Sequence, residues 1–165
     1  MTNSVTVPSL WDDAKASGLD EPGLLLYRSN LLGADLRITN FGGGNTSAKV
    51  EMNDPLTGAP ATVLWVKGSG GDIGSMKLDG FATLYLEKLE SLKGLYKSLD
   101  QEDAMVHALN HCIFNLNPRA PSIDTCLHAY VPFAHVDHVH SDAVIAIAAS
   151  KDAERLTKEI CGDEL

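Results

Sequence analysis

Residues 41–68 read "FGGGNTSAKVEMNDPLTGAPATVLWVKG" and contain the elements of a hairpin. The segment opens on three glycines and runs into a strand (41–50). It breaks at "NDPLTGAP" (53–60) and resumes as the β-rich "ATVLWVKG" (61–68). Two β-rich runs around a Pro- and Gly-containing turn are expected to pair antiparallel. Before them, "PGLLLYRSNLLGADLRI" (22–38) carries apolar residues at helical spacing. After them comes a second glycine loop, "GSGGDIG" (68–74). The stretch "DGFATLYLEKLESLKGLY" (79–96) predicts one amphipathic helix with Asp79 as its N-cap. "EDAMVHALNHCIFN" (102–115) predicts another, stopped by the prolines of "NPRAP". A short helix is expected in "SIDTCLHAYVPF" (122–133), then a strand and an apolar element in "AHVDHVHSDAVIAIAAS", and a last helix over 151–165. Repeats, low-complexity stretches and linkers are absent from the sequence, so it reads as mixed α and β.

A chain of 165 residues is about one domain with a sizeable core. A net charge of −9 and a pI near 5.0 exclude general nucleic-acid binding, which needs a basic face. The first residues lack the basic start and apolar core of a secretory signal, so the terminal "GDEL" is no retention signal. The longest apolar run, "AVIAIAA" (143–149), is too short to span a bilayer, and no membrane partner is expected. Cys112, Cys126 and Cys161 are odd in number and irregularly spaced, as reduced thiols in a cytoplasmic protein are.

Four features carry candidate chemistry. In "HVDHVHSD" (135–142), His138 and His140 are two apart, and such residues share a face of a strand. They could meet on one metal ion, although a catalytic zinc usually has three protein ligands. Gly42, Gly43 and Gly44, followed by Asn45, Thr46 and Ser47, suit either a phosphate cradle or a tight turn before the hairpin. They form no Walker loop, because no Lys-Ser or Lys-Thr pair follows. "VKGSGGDIG" fails as a dinucleotide fingerprint, since Ile73 stands where the third glycine belongs, but Ser69 and Gly70 remain candidate anion donors. Asp124 and His128 are four apart on one helical face, offering either a base and a partner to the metal or an acidic helix start. His107 and His111 have the same spacing without the glutamate of a zinc protease, and read as ordinary helix histidines.

"GGGNTSAKV", "VKGSGGDIG", "PSIDTCLHAY" and "HVDHVHSDAV" occur in the order and rough spacing of the class II aldolase/adducin family, which the chain resembles from about residue 10 onward. "LLYRSNLLGADLRITNFGGGNTSAKV" and "NLNPRAPSIDTCLHAY" are most similar to the aldolase part of bifunctional rhamnulose-1-phosphate aldolase/alcohol dehydrogenase proteins. The resemblance implies an α/β fold in three layers, α/β/α, around a central, mostly antiparallel (mixed) sheet, incomplete at its C-terminus. It also implies a homo-oligomer, a tetramer with sites at subunit interfaces.

By the same resemblance, Gly44 and Asn45 hold a substrate phosphate together with Ser69, Gly70 and Ser122, and His138 and His140 are zinc ligands. The family's third histidine lies in a glycine-histidine-glycine type motif, expected beyond Leu165. Residues 1–165 are therefore expected to be the amino-terminal part of a single aldolase domain, with the dehydrogenase domain absent. The family's acid/base is a glutamate in a Ser-Ser-Glu stretch; Ser122-Ile123-Asp124 stands in its place, which makes Asp124 the catalytic candidate. The implied activity is zinc-dependent retro-aldol cleavage of L-rhamnulose 1-phosphate to dihydroxyacetone phosphate and L-lactaldehyde, impaired in a chain of this length. The alternatives are an aldolase or epimerase for another sugar phosphate, or a non-catalytic adducin-like interaction module. Retention of His138 and His140 speaks against the last.

Overall fold

A computed structural model describes residues 8–95, 97–98, 101–115 and 119–162. In chain order, α1 (Asp13–Ala16) and α2 (Glu21–Ala34) precede β1 (Asn45–Asn53) and β2 (Pro60–Lys67). Then follow β3 (Phe81–Tyr85), α3 (Leu86–Leu92), α4 (Glu102–Ala108), α5 (Thr125–Tyr130), β4 (His135–His138), α6 (Asp142–Ala148) and α7 (Ala153–Cys161).

The hairpin forms as its turn chemistry dictates. β1 and β2 pair from Ser47 opposite Val66 to Asn53 opposite Pro60. In the turn, Asp54 Oδ1 accepts the amides of Leu56 (2.9 Å) and Thr57 (2.8 Å), and Gly58 takes a positive φ. Tyr85 Oη of β3 donates to the second Asp54 oxygen at 2.5 Å, tying the turn to the neighbouring strand. β3 adds to β2 and β4 adds to β1, giving the antiparallel order β3-β2-β1-β4.

Side-chain alternation assigns the two faces. Leu64, Val66, Ala82 and Leu84 lie under Leu89, Leu109 and Ala129, which come from α3, the 3₁₀ turn Leu109–Cys112 and α5. Ala48, Trp65 and Phe81 meet Leu25 of α2 on the opposite face. The result is helix, sheet, helix, the expected three layers with a mostly antiparallel centre. Each fully buried leucine of this core contributes about 1.5–3 kcal/mol of apolar burial.

One expected element is overturned. Residues 79–96 are not a single helix but a 3₁₀ turn (Leu78–Gly80), then β3, then α3. Phe81, Ala82, Thr83 and Leu84 are all buried, so the strand is covered on both faces and lacks polar alternation. Joined to Leu86, Leu89 and Leu92, such a run imitates a helical stripe. Asp79 falls inside the 3₁₀ turn and caps nothing.

Other ends move inward. α2 stops at Ala34, where Asp35 accepts the amides of Ile38 and Thr39 and closes a turn. α4 gives way to the turn at Leu109–Cys112, and Ile113 bridges to Leu84 beside β3. α5 covers only 125–130 of the expected 122–133, and α7 only 153–161 of 151–165. Tyr96 of the helix expected over 79–96, Asn117 and Pro118 of the proline stop, and 163–165 lie outside the described residues. Among the described residues no helix is long and apolar enough to cross a membrane.

Candidate functional site

The first glycine loop is clamped to the end of β4. Gly44 has φ +77°, and a Cβ there would collide with the carbonyl oxygen of His138. Asn45 then pairs opposite His138 in the β1–β4 ladder. A Cβ on Gly43 would lie 3.1 Å from His140 Nδ1. At Gly44 only glycine allows the loop backbone to approach the end of β4 this closely.

His140 lies past the end of β4, so the two histidines do not share one regular strand face as expected. Their rings nevertheless meet, with Nε2 atoms 2.9 Å apart and centroids 4.7 Å apart. His135 points elsewhere, its Nε2 3.3 Å from Glu21 Oε1 on α2. His107 and His111 are exposed, with ring centroids 6.4 Å apart.

The second glycine loop begins where β2 ends. Gly68 donates to Gly80 O (3.0 Å) and Ser69 donates its amide to Ala120 O (2.9 Å), fixing the loop to the segment before α5. Ser69 therefore offers an anion its hydroxyl rather than its amide. Asn45 Nδ2 donates to Lys67 O at 3.1 Å, joining the ends of β1 and β2 and keeping one amide proton in reserve. Ser122 Oγ donates to Asp124 Oδ2 (3.0 Å) and accepts from the Asp124 amide (3.2 Å). The serine hydroxyl is thus engaged with the candidate acid/base.

A cleft of about 550 Å³ is bordered by Gly44, Asn45, Ser69, Gly70, Ser122 and Asp124, with His140 at its edge. His138 reaches that rim through its contact with His140. A more apolar cavity of about 270 Å³ lies between residues 8–11 and α2. Its charged groups are already paired, Arg28 with Asp137 and Asp35 with Arg37, so the polar cleft is the better site.

One residue of this region, Lys67, has no role in the sequence reading, and another, His128, takes a place the sequence does not show. Lys67 also borders the cleft and is only 4% exposed. Burial pushes its ammonium down, while Asp72 and Asp124 draw it back up and Arg119 lowers it further. The available signal was a lysine closing an apolar strand immediately before a glycine loop. His128, which the sequence places with Asp124 on one helical face beside the histidine strand, is wholly buried with Nδ1 2.8 Å from Ser47 Oγ. Burial first, and then His138, lower its pKa to about 4, against an opposing pull from Asp124.

The two converging imidazoles suit part of a zinc site. Nitrogens on one tetrahedral zinc stand about 3.3 Å apart for bonds of about 2.0–2.1 Å. The 2.9 Å pair needs to open only slightly to reach that spacing. Among the described residues, however, no three His, Cys, Asp or Glu side chains converge for a metal. His138 and His140 alone would offer two donors, fewer than the three protein ligands of a usual catalytic zinc site.

With this geometry in view, the comparisons with known proteins are specific. The chain is 40% identical over 161 residues to YuxG of Bacillus subtilis, an uncharacterized oxidoreductase. The match takes in 95% of this chain but spans only 22% of that relative's length. The N-terminal class II aldolase domain of a conserved protein from Thermoplasma acidophilum superposes with a TM-score of 0.74 at 29% identity. That superposition covers 99% of this chain and 71% of the other. Residues 25–163 match the class II aldolase and adducin N-terminal domain. The chain belongs to the class II aldolase and adducin N-terminal domain family.

Proposed function

We propose that this chain carries the substrate-binding half of a zinc-dependent aldolase site that cleaves L-rhamnulose 1-phosphate to dihydroxyacetone phosphate and L-lactaldehyde. The observation that carries the reading is the meeting of His138 and His140 at the rim of a cleft formed by two glycine loops and Asp124. Gly44, Asn45, Ser69 and Gly70 receive the phosphate, and Lys67 supplies the charge that these neutral groups lack. Ser122 joins them by releasing Asp124. Binding energy from the phosphate, remote from the reacting bond, orients the sugar chain. His138 and His140, with a further ligand from beyond Leu165, would hold the zinc, which would supply Lewis-acid polarisation of the substrate oxygens. As the carbon–carbon bond breaks, its electron pair stays on the phosphate-bearing half, and the hydroxyl of the aldehyde half gives its proton to solvent to become the new carbonyl; Asp124 takes up a proton from solvent in exchange. The Asp124 carboxyl hands a proton to the carbon of the phosphate-bearing half.

The choice of sugar rests on the sequence likeness alone; a relative much longer than this chain, named as an oxidoreductase, fits a protein with a further domain. A homo-oligomer in the cytoplasm completes the proposal. Its supports are the exposed Val144 and Ile145 of α6 and three cysteines free of disulfides.

The test is release of dihydroxyacetone phosphate from L-rhamnulose 1-phosphate by the gene product continued past Leu165, with metal analysis of the same sample. Zinc and turnover together are expected, with both lost in His138→Ala. The 165-residue chain with added zinc should turn over little, and robust turnover would contradict its proposed incompleteness. Zinc with turnover of a different sugar phosphate would favour the aldolase or epimerase alternative. A protein without zinc would favour the adducin-like interaction module.

A further inference from the structure

The second glycine loop borders two clefts. Besides the one described above, a cleft of about 300 Å³ is lined in part by Lys67, Gly70, Gly71, Lys77 and Arg119. Lys67 and Gly70 border both. The Arg119 stem lies against Gly68, where a Cβ would collide with it, and its Nη2 stands 3.6 Å from the place of a Gly71 Cβ. The guanidinium is thus laid along the loop.

Three cations line this second cleft, and none of them has an ion pair or a side-chain hydrogen bond among the described residues. Lys67 is only 4% exposed, and a charge taken out of water is costly without a partner. Burial lowers its ammonium first, and Arg119 lowers it further against the pull of Asp72 and Asp124. An anion seated between the two cations offsets both costs. The loop also has donors to spare. The Gly70 and Gly71 amides donate to no protein acceptor among the described residues, and both glycines have positive φ, +71° and +79°. Successive amides in such a turn form a concavity for an anion. Two carboxylates share the cleft, Asp79 and Asp72, and the second already accepts from Ser75 Oγ at 3.1 Å. Three positive groups against two negative, on a chain of net charge −9, make the local field favour an anion.

We propose that this second cleft is a further anion site, which takes a phosphate group between Arg119 and Lys67 with the Gly70 and Gly71 amides as additional donors. A tetrahedral dianion accepts from a guanidinium fork, an ammonium and amides together, so inorganic phosphate and the phosphoryl group of an ester share the chemistry. The site belongs to the loop and stands whether or not the chain cleaves a sugar phosphate.

The test is titration of the 165-residue chain with inorganic phosphate, followed through the ¹H–¹⁵N signals of the Gly71 amide and Arg119 Nε. Both should shift and saturate. Arg119→Gln, at an exposed position, should weaken the binding read at Gly71 about tenfold, and Arg119→Lys should recover part of it. Lys67→Met should weaken it likewise; should that variant not fold, the two Arg119 variants decide alone. Ser122→Ala, which borders only the first cleft, should leave the binding unchanged. Signals that stay still at millimolar phosphate, or equal affinity in Arg119→Gln, overturn the proposal. Loss of binding in Ser122→Ala also overturns it, by placing the anion in the first cleft. L-rhamnulose 1-phosphate separates the two sources. If it also moves Arg119 Nε, the site takes phosphate esters; if inorganic phosphate alone does so, the site is one for the free ion. Phosphate bound as described in a protein that turns over no sugar phosphate upholds this site and sinks the aldolase reading instead.

Discussion

At the scale of single residues, the site depends on positions whose tolerance of change can be read from what each one meets. Gly44 and Gly42 both sit at positive φ, +77° and +74°, but only Gly44 has an obstacle in front of it, the His138 carbonyl. Gly42→Ala should therefore cost only the left-handed backbone penalty, about 1–2 kcal/mol. Gly44→Ala adds displacement of the β4 end, for a total of roughly 2–4 kcal/mol. Urea denaturation of the two variants checks this, and equal midpoints would remove the claim that the loop is clamped. Asp124 offers a second contrast. Asp124→Asn keeps the shape and loses proton exchange, so kcat in the gene product continued past Leu165 should fall about 10²–10⁴-fold. Asp124→Glu restores the carboxylate that the family resemblance expects, and should retain turnover far above Asp124→Asn. If the asparagine variant matches wild type, the proton is handled elsewhere.

At the scale of elements, legibility in the sequence followed how local the determining forces are. The hairpin was legible because Asp54, Gly58 and the β-rich runs beside them form its turn and strands within one short stretch. β3 was not, because its identity depends on burial against β2 on one side and helices above and below, none of it visible in "FATLY". The candidate site divided in the same way. His138, His140 and the two glycine loops announced themselves by spacing. Lys67 gained its position only from where β2 ends, and the burial of His128, whose spacing from Asp124 was legible, only from the approach of α5 to β1.

The hairpin turn also titrates. The Tyr85 hydroxyl, followed by the Thr57 and Leu56 amides, holds the Asp54 carboxyl down to about 2 from its usual 3.8. A depressed carboxylate stabilises the folded chain above the unfolded value, and that contribution disappears as pH falls through about 2. In Tyr85→Phe the amides remain, so the Asp54 pKa should rise only part of the way towards 3.8, as read from its carboxyl ¹³C shift. No movement would mean that the amides alone hold the charge.

At the scale of the whole molecule, the cleft is a seam between segments distant in sequence. The hairpin contributes both glycine loops, the 119–124 segment contributes Ser122 and Asp124, and β4 with the residues after it contributes the histidines. His128 is buried where α5 meets β1, and its burial links that contact to overall stability. In the folded chain it titrates near 4, against an ordinary value of 6.5. The unfolded chain therefore binds the additional proton throughout the interval between them. Stability should be complete above about pH 6.5 and decline as pH falls towards 4, by roughly 3 kcal/mol for this group. The decline should appear as falling urea midpoints in chelator-treated protein, where no metal competes for the rings. His128→Leu removes the titrating group, so its midpoints should fall less steeply across the same interval, whatever its absolute stability. A variant curve parallel to wild type would place the titration on other histidines and leave His128 free to protonate in the folded chain.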